Sequence, residues 1–274
     1  MTRGIVYFVV GRHYLKHATN SLESLRRFHP NMQATLFCND GAKPMPFNAV
    51  TRYKSINNQY PHNELHLDRI KCLCRAPYDV NLHLDADTYV DDSLDDMFRL
   101  MDRFDLVVHH GMARRGAYLE DVPLAFPTHN SGMILWRWTP ETRALLEDWR
   151  VRQEQWIIDR PKELVGHGAH ACQPSWRRAL YYSDVRFATV GENYLTQANH
   201  GGYMRGRAII LHGCRGHPGV LAKIAALINH NQPHGKRGHF RFHTAGGCVV
   251  HYKRGRGLLP DDTWLTRRKK ILGA

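Results

Sequence analysis

A chain of 274 residues with 43% hydrophobic and 23% charged side chains has enough apolar material for a packed core, which excludes wholesale disorder. No run reaches the ~20 apolar residues of a membrane-spanning helix, and residues 4–10 are too short, and too soon followed by Arg12 and His13, for a signal peptide. The formal charge of +13 is unevenly placed: residues 201–274 hold 14 Lys and Arg against Asp261 and Asp262, whereas residues 1–200 hold 24 bases against 23 acids. Such asymmetry points to a polyanionic partner, nucleic acid or an anionic membrane surface, with a solvated basic tail as the plain alternative. Cys38, Cys72, Cys74, Cys172, Cys214 and Cys248 show no paired spacing and read as reduced thiols, so a soluble cytoplasmic chain, peripheral to a membrane at most, is expected.

Residues 4–10 (GIVYFVV) form a continuous apolar run of strand length, broken by Gly11. Leu15, Ala18, Leu22 and Leu25 then recur at helical spacing, and residues 34–38 (ATLFC) form a second strand stopped by Asn39, Asp40 and Gly41. Strand, helix, strand is a βαβ unit, which predicts a parallel sheet. Residues 65–76 are helical in pattern, and 80–84 (VNLHL) form a strand that runs into Asp85-Ala86-Asp87. Strands follow at 106–109 and 132–136, then a helix at 140–158 with Leu145, Leu146, Trp149, Val151 and Trp156 on its apolar side. Residues 162–172 read as a loop, 209–211 as a strand and 220–228 as a helix.

Ligands of open α/β sheets bind outside the carboxyl ends of the strands, where Asp85 and Asp87 fall. If the triplet is extended, both carboxylates point to one side, roughly 7 Å apart. Two hard oxygen donors suit Mg²⁺ or Mn²⁺, although a bare D-x-D is also a common turn. Neither a P-loop nor a nucleophile-elbow motif is present.

Several blocks, in order, resemble the GT-A fold glycosyltransferases related to glycogenin and the bacterial galactosyltransferases of glycosyltransferase family eight. They are the opening strand with GRHYLKHATNSLESLRRFHP, the segment from Asp68 through Asp87, HNSGMILWR and IILHGCRGHP. The resemblance implies a Rossmann-like α/β domain over residues 1–230 with a mostly parallel central sheet, and a basic extension, residues 231–274, packed on it. It implies transfer of a sugar from a nucleotide diphosphate, a UDP-sugar above all, to an acceptor hydroxyl, with Mn²⁺ or Mg²⁺ held by Asp85, Asp87 and His212. Tyr14 would stack near the base, and Arg69 or Lys71 would face the diphosphate. Asp85, Ala86, Asn130, Ser131 and Gly132 would line the donor, and Gln173 would sit beneath the anomeric carbon of a retaining enzyme. Asp105 is a further carboxylate that could approach the donor sugar. The family's acidic residue before the glutamine is replaced here by Cys172, and its closing Lys-Pro by His217-Pro218, which leaves Arg215 or His217 for the phosphate.

Residues 235–256 interleave Arg and Lys with Phe240, Phe242 and Tyr252, and Arg267, Arg268, Lys269 and Lys270 follow. Cations beside aromatic faces suit nucleic acid, so a hydroxylated-base DNA acceptor fits. A membrane-surface transferase acting on lipid-linked or lipopolysaccharide acceptors fits the same charge. A non-catalytic polyanion-binding module is disfavoured by the retained Asp85, Asp87, His212 and Asn130. His212, Cys214, His217, His234, His239, His243, Cys248 and His251 could instead ligate a structural Zn²⁺, but only His239 and His243 have a usual spacing.

Overall fold

A computed structural model describes residues 1–39, 46–52, 63–111, 119–159, 172–199, 201–213, 219–230, 240–243, 249–253 and 257–260. In chain order these form β1 (Arg3–Val9), α1 (Gly11–Arg26), β2 (Gln33–Cys38), β3 (Ala49–Arg52), α2 (Asn63–Leu73), β4 (Val80–Leu84), β5 (Thr88–Val90) and α3 (Asp95–Arg99). There follow β6 (Leu106–His110), β7 (His129–Arg137), α4 (Pro140–Asp159), α5 (Gln173–Tyr181), β8 (Phe187–Val190), β9 (Thr196–Gln197), β10 (Gly202–Arg205) and β11 (Ile210–His212). The last are α6 (Val220–Ile228), β12 (Phe240–His243), β13 (Val249–Lys253) and β14 (Gly257–Pro260). They fall into two compact units, residues 1–22, 31–86 and 95–190 in the first and 23–30, 87–94 and 191–274 in the second.

The first unit is built on a seven-stranded sheet in the order β3-β2-β1-β4-β7-β6-β8. All pairings are parallel except those of β7, which runs antiparallel to both β4 and β6. Every residue of β4 is buried, Asn81 and His83 included, as in a central strand covered on both faces. Its Asn81 is satisfied locally by donating to Tyr78 O (2.7 Å) and accepting from Tyr78 N (3.0 Å). Gly11 leaves β1 with φ +75°, a left-handed conformation that a side chain would strain, and its N–H donates to Asn39 Oδ1. From α2, α4 and α5, the side chains of Ile70, Leu73, Trp149 and Trp176 pack with Trp136 of β7 into one apolar cluster. Along α4 the buried stripe is Thr142, Leu145, Leu146, Trp149 and Gln153, a strict three-and-four spacing. The expected Val151 lies off that stripe and is exposed; Gln153 is buried instead and accepts from Ser175 Oγ.

The second unit holds a three-stranded sheet, β5-β11-β9, and a four-stranded sheet, β10-β12-β13-β14. Helix α6 lays Leu221, Ile224, Ala225 and Ile228 against Met204, Ala208 and Leu211. Asp91 ties this unit together by accepting from Arg207 and from Asn229 Nδ2. Strand β12 pairs antiparallel with β10, Gly202 opposite His243. Among the described residues no helix is long and apolar enough to cross a membrane.

Candidate functional site

The parallel strands β1 and β4 end at one edge of the first unit's sheet, and the reversed β7 begins there. At this edge Asp85 follows β4, and its backbone N–H donates to Gly132 O (2.8 Å). The triplet is not extended: Asp85-Ala86-Asp87 is the turn between β4 and β5, so the two carboxylates do not share one face of a strand as expected. Arg69, buried on α2, donates through Nη1 to Asp85 Oδ1 (2.8 Å) and through Nη2 to Ser131 Oγ (2.9 Å) and Cys172 Sγ (2.7 Å). Burial opposes the guanidinium's charge, but Cys172 and Asp85 outweigh it and raise the Arg69 pKa. His83 donates from Nδ1 to Val6 O (3.1 Å) and turns Nε2 toward Asp85 Oδ1 (3.4 Å).

In the second unit, His212 ends β11 with Nε2 3.3 Å from Asp87 Oδ1 and Nδ1 3.0 Å from the Gln197 side-chain amide. Gln197 is anchored in turn, its backbone N–H donating to Glu192 Oε1 (3.1 Å), which also meets the buried His243 Nε2 (3.2 Å). Gly213 follows His212 at φ +90° and donates its N–H to Asp87 O (3.1 Å). A Cβ there would stand 2.9 Å from Asn199 Nδ2, so glycine is needed both for the turn and for the close approach.

Other expected residues lie on the same edge of the first unit. Tyr14 is exposed in the first turn of α1, directly after β1, and Ala86 is buried in the turn. Asn130 accepts from Gly132 N (2.8 Å), which shapes the start of β7 beside Asp85. Gln173 opens α5 next to Cys172, whose sulfur reaches Ser131 Oγ (3.3 Å).

Two expected residues are elsewhere. Lys71 pairs with Glu154 on α4 (3.1 Å), because positions two apart on a helix face opposite ways and only Arg69 can turn to Asp85. Asp105 precedes β6 at the opposite edge, about 16 Å of strand from Asp85. There it is held between Arg137 (2.6 Å) and Arg186 (3.0 Å). Burial would raise the Asp105 pKa, yet bonds from Arg186 and Arg137 hold it below the usual carboxylate range, as in a structural ion pair. Arg215 and His217 lie outside the described residues, as do the proposed zinc ligands Cys214, His234, His239 and Cys248, and His251 is described in backbone only. His243 meets Glu192, and His212 meets Asp87 and Gln197. Among the described residues Cys38, Cys72, Cys74 and Cys172 are free thiols.

No protein-family model and no curated protein matches the sequence. Solved structures do match. An active-site mutant of the galactosyltransferase LgtC is 14% identical, over 78% of this chain and 88% of that one, with a TM-score of 0.51. Mouse xyloside xylosyltransferase 1, in its apo form, is likewise 14% identical, over 78% of this chain and 98% of that one, at a TM-score of 0.51. The fold is that of the GT-A glycosyltransferases. Within this GT-A fold, Gln197 and His66 are neighbours of the site that sequence reading did not single out. Gln197 lies on a two-residue strand with no pattern of its own, and His66, which hydrogen-bonds Cys172, is one of 19 histidines.

Proposed function

We propose that this chain is a metal-dependent glycosyltransferase that moves a sugar from a nucleotide diphosphate, a UDP-sugar in the simplest case, to an acceptor hydroxyl. The observation that supports it best is the Asp87–His212 pair, 3.3 Å apart, in a GT-A fold. Neighbouring ligands of one octahedral ion, each about 2.1 Å from it, are about 3 Å apart, so this spacing fits one shared cation. Asp85, two residues back on the same turn, supplies the third donor. Two carboxylates and an imidazole suit Mn²⁺ better than Ca²⁺, with Mg²⁺ as the other candidate. When bound, the cation neutralises charge that builds on the departing diphosphate as the C1–O bond breaks.

The chain's own residues do the rest. Arg69 brings a permanent positive charge to the Asp85 side of the site. Tyr14, exposed beside the rings of His13 and His17, would stack on the base; Asn130, Ser131 and Gly132 would border the sugar; and Gln173 would lie beneath the anomeric carbon in a reaction that retains configuration. A polyanionic acceptor, hydroxylated-base DNA foremost, is supported by the charge beyond residue 200. In that region only Arg205, Arg207 and Lys223 have described side chains, and Arg207 is already paired with Asp91 and Asp92.

The test is thermal unfolding with Mn²⁺ and UDP together. A ligand present at about 100 times its Kd stabilises by about 2.7 kcal/mol, a clear rise in Tm. Asp87→Asn should unfold at the wild-type temperature without ligands and lose that rise. An Asp87→Asn protein that keeps the full Mn²⁺-dependent shift would overturn the metal assignment. Sugar transfer is then assayed on duplex DNA carrying hydroxylated bases and on lipid acceptors.

A further inference from the structure

Arg69 poses a problem of charge. It is buried, it cannot lose its proton, and the groups that stabilise its charge are Cys172 and Asp85. Under the glycosyltransferase reading, Asp85 also serves a cation, which draws the carboxylate's charge away from the guanidinium. One other candidate anion touches Arg69, the sulfur of Cys172, 2.7 Å from Nη2.

The surroundings of that sulfur favour the charged form. Cys172 caps the N-terminus of the nine-residue α5, where the helix dipole favours an anion. Ser131 Oγ lies 3.3 Å away, placed to donate to a sulfur that has no proton, and His66 of α2 also favours the charged sulfur. From α4 the neutral Trp149 donates from Nε1 to Cys172 O (3.2 Å). We propose that Cys172 is a resident thiolate and a positioning residue, which with Ser131 holds one arm of Arg69 so that the other is aimed at Asp85 and the diphosphate. The positioning role rests on the glycosyltransferase reading; the thiolate rests on the buried geometry alone.

Electrostatics agree. Burial pushes the Cys172 thiol up, but Arg69, then His66 and the bond from Ser131, pull its pKa down to about 6. Cys72 and Cys74 are also largely buried, but there burial together with Asp68 or Glu147 outweighs the nearby Arg75 and Arg150 and pushes them up to about 12 and about 11. Burial by itself therefore does not produce the thiolate.

Two measurements test the proposal separately. The first is thiolate absorbance near 240 nm, read as wild type minus Cys172→Ser on the folded protein with no ligand. The difference should appear as pH rises through about 6; a midpoint at or above about 8.5, the ordinary thiol value, overturns the thiolate. The second is calorimetric binding of UDP with Mn²⁺. Cys172→Ser and Cys172→Ala should each weaken binding about 10-fold, and Cys172→Asp, which restores an anion, should recover most of it. A role in packing alone predicts instead that Ser, closest in size, is the best replacement. Wild-type binding by Cys172→Ala overturns positioning and leaves the glycosyltransferase reading standing. If the wild type binds neither Mn²⁺ nor UDP, that reading and the positioning role fall together, while the absorbance titration still decides the thiolate.

Discussion

Asp85 and Asp87 are separated by one residue and are equally exposed, 27% each, but the two units hold them differently. In the first unit Asp85 follows a fully buried strand and meets a permanent cation, itself fixed by a hydroxyl and a sulfur. In the second, Asp87 faces an imidazole whose other nitrogen rests on a neutral amide. One side is set by charge that does not change near neutral pH, whereas the other depends on where a ring proton sits. With Gln197 Nε2 donating to His212 Nδ1, the ring proton lies on Nε2 and points at Asp87. An ion on Nε2 requires the opposite tautomer, with Nδ1–H donating to Gln197 Oε1, and so an amide turned end for end.

The largest effect should come from removing the charge on the first side. Arg69→Met leaves Asp85 facing an apolar chain and Cys172 without its counter-ion. Stability in urea denaturation should drop by about 3–5 kcal/mol, the usual cost of breaking a buried pair. A loss under about 1 kcal/mol would erase the contrast between the two sides, since that is the scale of an exposed pair. Next is the amide on the second side. Gln197→Leu should weaken Mn²⁺ binding about 10- to 100-fold with little change in ligand-free stability, whereas Gln197→Glu, an obligate acceptor, should hold or tighten it. Calorimetry with Mn²⁺ reads both variants, and equal affinities would mean that His212 needs no such partner. The smallest effect is expected at Lys71. Its half-exposed pair with Glu154 is worth about 0.2–1 kcal/mol, and Lys71→Ala should leave UDP and Mn²⁺ binding unchanged.

Much of the first unit could be read from the sequence because its strands are long apolar runs and its helices carry periodic stripes. The βαβ start, β4 leading to the acidic triplet, and the strand expected at 132–136, which is the larger part of β7, all lie where pattern placed them. The second unit was less legible for a physical reason: several of its strands span two to four residues, too few for alternation to register, and they pair across distant stretches of chain. Asp105 shows another limit. It precedes an apolar strand where Asp85 follows one, so it falls at the other edge once β4 and β6 run the same way, as the pairing of Asn81 and Leu106 with Trp136 makes them do. Arg69 and Lys71 were distinguishable in principle, since helical geometry turns them apart, but which of them faced the sheet depended on α4 supplying Glu154.

The reversal of β7 bears on how such a chain can change over evolution. Because β7 runs against β4 and β6, β6 ends and β7 begins at the edge that carries Asp85, while the chain leaves β7 for α4 at the opposite edge. Insertions before His129 therefore lengthen the rim beside Asp85, and insertions after Arg137 fall at the other edge. A library aimed at altered sugar or acceptor preference should vary the segment that enters β7 and leave the segment that exits it untouched.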